Sequence, residues 1–273
     1  MWDKLKGKSK EEKGEETRLE IQKLTDKYVA DFKKGVINEL GKVGIQEPSV
    51  TLTGYPTLTP SFIIVKFIDN ESQPVTLIQV LELYMGTPSG VWGTMKRVYR
   101  SVSAFVSTVP GTIPFTLVHR EISKGLLKGS QKLFVPFTNT NFGELKLTDQ
   151  SLMQTSMVTC LNQKSDVFEI ISKNFLTSGS VHLTHRAQLN LGYNDLGGRC
   201  TIIPFGDETV IFLRGVIGDD IFQYFYFKDQ LYALSQIRTC VSQNVKNDKI
   251  SGNVPAPVFN TLYSLFKSGS TPT

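Results

Sequence analysis

QPVTLIQVLELYMG, residues 73–86, is the stretch on which the fold turns. Pro74 stands where the first turn of a helix loses nothing by its missing N–H. Leu77, Ile78, Leu81, Tyr84 and Met85 recur at helical spacing, and Gly86 with Pro88 supplies a stop. The spacing predicts a helix over 74–85. Just before it, SFIIVKFI (61–68) has the β-branched and aromatic content of a short strand. Just after it comes GVWGTMKRVYR (90–100), with one Trp, one Tyr and three cations in eleven residues. Continued through SVSAFV, this stretch reads as a strand with Val98, Val102, Ala104 and Val106 on one face beside Arg100. Tyr99, Ser101, Ser103 and Phe105 fall on the other. The glycines should then leave Trp92 exposed, with Lys96 and Arg97 beside it as a basic-aromatic surface and Tyr99 buried.

Working outward, residues 1–16 carry charge with little to bury and read as a flexible basic arm, with Lys4, Lys6, Lys8 and Lys10 as its cations. Residues 17–48 follow as an N-terminal helix, its stripe formed by Ile21, Leu24, Tyr28, Phe32, Val36 and Leu40. A β-rich core domain is expected over 49–241. Its further strand candidates are 113–119, 132–137, 144–148, 155–161, 167–172, 180–191, 200–205, 209–216 and 221–227, divided by Gly, Asn, Asp and Pro clusters. Helix returns over 228–241 and 257–267, and residues 242–273 form a helical C-terminal tail. The expected class is α+β, with a helix packed on a twisted sheet in a single β-rich body.

The 273 residues, 40% of them hydrophobic and 20% charged, can bury a sizeable core. A formal charge of +5 suits phosphate-bearing partners without requiring one. Cys160, Cys200 and Cys240 are an odd, widely spaced set, so reduced, mostly buried thiols are expected rather than a disulfide framework or a zinc site. No apolar run reaches membrane-span length, and MWDKLKGKSKEEKGEE lacks the apolar core of a secretory signal; the expectation is a soluble, intracellular chain.

Chemistry is sparse. His182 and His185, three apart in an expected strand, fall on opposite faces and cannot share a metal. GTPSG (86–90) lacks nucleophile-elbow spacing, LLKGSQK (126–132) lacks P-loop order, and the carboxylates are scattered. No enzyme, metal or cofactor is expected. Two weaker signals remain. Tyr55-Pro56-Thr57-Leu58 is a Tyr-Pro-x-Leu segment that, extended, can offer its Tyr and Leu to neighbouring grooves; the plainer alternative is a proline-bounded loop. The other signal is the basic-aromatic surface of Trp92, Lys96, Arg97 and Arg100.

The succession of a lysine-rich arm, FIIVKF, Pro-Val-Thr opening a helix, GVWG and KRVYRSVSAF resembles the folded core of rhabdovirus matrix proteins, most of all the plant-infecting, nucleorhabdovirus-like members. FLTSGSVHLTHRAQLNLGYND (175–195) looks like the later strand pair of that core. The resemblance implies a structural viral matrix protein that bridges the ribonucleoprotein and the inner membrane leaflet, self-assembles, condenses the nucleocapsid and drives assembly and budding. It implies as partners the viral nucleocapsid, anionic membrane lipid, further copies of the chain, the viral glycoprotein tail and host budding machinery. It implies a place in the virion beneath the envelope, in host cytoplasm and membranes, and in the host nucleus. Lys4, Lys6, Lys8 and Lys10 would meet the anionic surface, and Tyr55, Pro56 and Leu58 would serve as the budding motif where a Pro-Pro-x-Tyr is missing. The chain departs from the family in its length and in an unmatched helical tail after 228.

The alternative is a plant-virus cell-to-cell movement protein, from the order of GELKL, MVTCLNQKS and TSGSVHL, although Asn162 and Gln163 stand where that family's Asp is expected. A non-viral β-rich interaction module is the third class. A helix layer on a single sheet favours the matrix reading and a closed jelly roll the movement reading.

Overall fold

Residues 74–85 form a strand, not a helix. The structure, a computed structural model, describes residues 9–53, 61–85, 97–123, 130–138, 146–147, 150–174, 200–214 and 226–246. In chain order its elements are α1 (Lys10–Lys42), β1 (Ser49–Thr53), β2 (Ser61–Ile68), β3 (Pro74–Met85), β4 (Arg97–Pro110), β5 (Thr116–Ser123), β6 (Ser130–Thr138) and β7 (Lys146–Leu147). A 3-10 turn (Gln150–Gln154), α2 (Ser156–Asn162), α3 (Ser165–Asn174), β8 (Cys200–Phe205), β9 (Glu208–Arg214) and α4 (Phe227–Ser242) follow. The mixed helix and sheet class expected of the sequence is present.

Among the described residues all nine strands join one sheet in the order β1-β2-β3-β4-β9-β8-β5-β6-β7, and every pairing is antiparallel. The β8–β9 hairpin is inserted between β4 and β5, so the five residues joining those strands cross its turn. Gly111, at φ +88°, makes that crossing: its N–H donates to the Asp207 carbonyl at 2.9 Å and its own carbonyl accepts from the Thr209 hydroxyl at 2.8 Å. A Cβ on Gly111 would meet the Lys246 carbonyl and the Val245 side chain at 3.0 Å. Thr112 and Lys246 exchange two backbone hydrogen bonds of 2.9 Å, which fastens the chain beyond α4 to the same crossing.

Among the described side chains the middle of the sheet is buried on both faces. The helix-covered face carries Ile63, Val65 and Phe67 of β2, Val75 and Leu77 of β3, Phe105 of β4, Ile211 and Leu213 of β9, and Ile202 of β8. These share one core with Phe32, Val36 and Leu40 of α1, Met157, Val158 and Leu161 of α2, Val167 and Ile171 of α3, and Leu234 and Ile237 of α4. On the opposite face Ile64, Thr76, Ile78, Ala104, Val106, Thr201, Ile203, Val210 and Phe212 are buried as well. A strand buried on both sides reads as a continuous apolar run rather than an alternating one. Val75, Thr76, Leu77, Ile78 and Gln79 are all buried in succession. That is why the expected helix over 74–85 is overturned: with no period-2 signal, apolar residues on two faces imitate a helical stripe.

The first helix starts at Lys10 rather than Thr17, so residues 10–16 of the expected arm are its first turns, while residues 1–8 lie outside the described residues. The start is set by a capping box. The Ser9 hydroxyl accepts the Glu12 N–H at 3.1 Å, and the Glu12 carboxylate accepts the Ser9 N–H at 2.7 Å. The end is a Schellman motif: Gly44 sits at φ +84° and donates to the Gly41 carbonyl, Ile45 donates to the Leu40 carbonyl, and both Ile45 and Leu40 join the core. The strands expected at 155–161 and 167–172 are instead α2 and α3. Met157, Val158 and Leu161, and then Val167 and Ile171, bury at helical spacing despite their β-branched residues. Strands at 61–68, 132–137, 200–205 and 209–216 and the helix at 228–241 match β2, β6, β8, β9 and α4 within a few residues. The strand expected at 113–119 is displaced, with β5 running Thr116–Ser123; of that at 144–148, Lys146–Leu147 is strand and the rest lies outside the described residues. The strand expected at 180–191, most of that at 221–227, and the helix at 257–267 lie outside the described residues.

Candidate functional site

The first turns of α1 are exposed, whereas its later turns pack on the core. α1 buries side chains only from Thr25 onward, and residues 10–16 are exposed. Its first turns hold Lys10, Lys13, Arg18 and Lys23 among Glu11, Glu12, Glu15, Glu16 and Glu20, so carboxylates outnumber cations there by one. Arg18 grips Glu15 through two hydrogen bonds of 2.6 and 2.9 Å; these hold the Glu15 carboxyl below its usual range and raise the Arg18 guanidinium. Of the four arm lysines, Lys10 is the first residue of this helix, and Lys4, Lys6 and Lys8 lie outside the described residues. Tyr55, Pro56 and Leu58 also lie outside them, as do Trp92 and Lys96. Arg97 and Arg100 are placed on β4, in register with Met85 and Glu82 of β3. The expected strand character is therefore present from Arg97 onward, and the surroundings of Tyr99 lie outside the described features.

The strongest polar cluster is one that sequence reasoning missed. Arg238, on the core side of α4, is buried and pairs with Asp69 in the β2–β3 turn; it reaches Glu71 at 2.7 Å and the Ser107 hydroxyl of β4 at 3.3 Å. Ser235 donates to the other Glu71 oxygen. Asp69 in turn accepts the N–H groups of Glu71 and Gln73 at 3.0 and 2.9 Å, so one carboxylate shapes the turn and anchors the helix. The available signal was an arginine inside the apolar stripe of a helix beside Leu234, Ile237 and Val241, which demands a buried partner. Two carboxylates occupy the guanidinium, so this cluster is a fastening.

A second set of contacts ties α2 and α3 to α4. Cys160 and Cys240 form a disulfide, which corrects the expectation of reduced thiols; Cys200 remains free and buried. The pairing closes a loop across 80 residues and stabilises the fold by about 2–4 kcal/mol. It was invisible in the spacing because it depends on α2 packing on α4. Lys164 donates to Gln236 at 2.7 Å, and the Tyr232 hydroxyl donates to Asp166 at 2.5 Å. That bond, with backbone N–H groups at the start of α3, holds the Asp166 carboxyl below its usual range and raises the Tyr232 phenol. Asn162, where the movement-protein pattern expects Asp, accepts the Phe134 N–H at 2.8 Å and donates to the Phe134 carbonyl at 3.2 Å, which an aspartate could not do.

Among the described residues no three His, Cys, Asp or Glu side chains converge as metal ligands, and no helix is long and apolar enough to cross a membrane. Comparison with protein-family models, curated proteins and solved structures finds no match to the chain.

Proposed function

We propose that this chain is a structural assembly protein of the viral-matrix type, acting without catalysis or cofactor. It bridges a ribonucleoprotein and the inner leaflet of an anionic membrane, associates with further copies of itself, and condenses the nucleocapsid for budding. The observation that carries the reading is the architecture. A layer of helices lies on one face of a single sheet whose end strands, β1 and β7, do not pair among the described residues. That arrangement favours the matrix reading over the closed jelly roll expected of a movement protein. The succession that prompted the family resemblance keeps its two strands, β2 and β4, but not the helix between them, so the architecture and the placement of charge carry the weight. The exposed first turns of α1 follow, in the sequence, a segment whose cations are Lys4, Lys6 and Lys8. Each lysine near an anionic surface contributes about 1 kcal/mol, and many copies acting together multiply a weak contact. Virion, host cytoplasm and nucleus are the compartments this role implies, with the glycoprotein tail and host budding machinery, reached through Tyr55, Pro56 and Leu58, as further partners.

Vesicle flotation tests the reading. The full chain should float with phosphatidylserine-containing vesicles at low salt, release at high salt, and ignore neutral vesicles. A chain with Lys4→Glu, Lys6→Glu and Lys8→Glu should lose most of that binding while melting at the same temperature. Equal flotation on neutral vesicles, or undiminished binding by the variant, would sink it.

A further inference from the structure

We propose that the outer edge of β1 is a self-association surface, at which two copies pair β1 antiparallel to β1 about a two-fold axis at Thr51. This rests on the self-assembly part of the proposed function and names the surface that performs it. β1 ends the sheet, and among the described residues only β2 pairs with it. An edge strand offers a row of unused N–H and C=O groups, which proteins ordinarily guard with charged residues, proline, a bulge or a very short strand. At the other end of the sheet the described part of β7 is two residues, Lys146 and Leu147, the first of them a cation. β1 is not guarded. Its five residues, Ser49-Val50-Thr51-Leu52-Thr53, include no charge, proline or glycine. Ser49 and Thr51 are exposed, while Val50 and Leu52 pack against the core and remain only partly covered.

The same five residues are self-complementary. Antiparallel pairing centred on Thr51 sets Thr51 opposite its own copy, Val50 opposite Leu52 and Ser49 opposite Thr53. Apolar side chains then meet on the core side, hydroxyls meet on the other, and no like charges oppose. Such a two-fold, isologous contact closes on itself. Pro48, which has no N–H, limits the ladder at one end, and the chain enters β1 through Glu47 at φ +53°. Five residues a side is a short contact, so the pair forms weakly and in proportion to concentration.

Cysteine scanning reads the register directly, because Cys160 and Cys240 are joined and Cys200 is buried. With a short bismaleimide, Thr51→Cys should crosslink to a dimer. Ser49→Cys should not, since its own copy lies four residues away along the strand, about 14 Å. A mixture of Ser49→Cys and Thr53→Cys should crosslink between the two species. Thr51→Lys, at an exposed position, should keep its melting temperature and weaken dimerisation in sedimentation by about tenfold through like charges opposed at the axis. A Thr51→Cys chain that stays monomeric, equal crosslinking at positions 49 and 51, or unweakened dimerisation of Thr51→Lys would each overturn the proposal. Vesicle flotation of the wild-type chain separates the two ideas: binding without crosslinking sinks the β1 surface alone, and crosslinking without binding sinks the membrane role alone.

Discussion

Arg238 holds three parts of the sheet and helix layer together, and its removal leaves the Asp69 carboxylate buried without its cation. Breaking one side of a buried pair costs more than the pair contributes. Arg238→Ala should therefore lower stability by about 3–5 kcal/mol in urea unfolding; a loss below about 1 kcal/mol would show that the guanidinium is dispensable. Asp166 and Tyr232 make a gentler and pH-dependent contact. The folded-state pKa of Asp166 lies below its ordinary value, so its contribution is complete above the ordinary carboxylate range and is lost as pH falls through the folded value. Tyr232→Phe should be less stable than wild type at pH 7, with the gap closing in acid below that range. A gap that persists or widens there would contradict the bond. Neither contact was legible in the sequence. An arginine in an apolar stripe announces that some partner exists, but Asp69 lies 169 residues away and only the fold brings it near.

At the scale of elements, legibility followed the number of buried faces. α1 and α4 bury one stripe each and show it, so both were readable, although the capping box at Ser9 moves the start of α1 and the turn at Gly44 ends it at Lys42 rather than at 48. β3 is interior to the sheet and buried on both sides, which removes the alternation that identifies a strand. α2 and α3 are 7 and 10 residues long, too short for a helical period to outweigh Val158, Val167 and Ile171. A substitution separates the two readings of 74–85. Thr76 lies off the apolar stripe of the helix the spacing predicts, yet it is buried on the opposite face of the sheet. Thr76→Lys should abolish soluble folded protein, because it buries an unpaired charge. Normal expression and an unchanged melting temperature would return the segment to a helix with Thr76 in water.

For the whole molecule, the class and the two flanking helices could be read from local pattern, whereas the strand order could not. Inserting β8–β9 between β4 and β5 joins segments about a hundred residues apart, and no local signal records such a pairing. Of the candidate site, Lys10, Arg97 and Arg100 are placed, on α1 and β4, and the other named residues fall outside the described chain. What the fold adds to the proposed role is one sheet and helix core with the exposed, charged start of α1 and, among the described residues, an unguarded strand edge at β1. Weak lipid contact and weak self-pairing would then reinforce each other on a surface, each raising the effective concentration for the other. The most direct measurement is cryo-electron microscopy of the full chain incubated with anionic vesicles at low salt. The account predicts a continuous protein coat of repeating protomers, absent on neutral vesicles and dispersed by high salt. Bare anionic vesicles beside free monomer would contradict it.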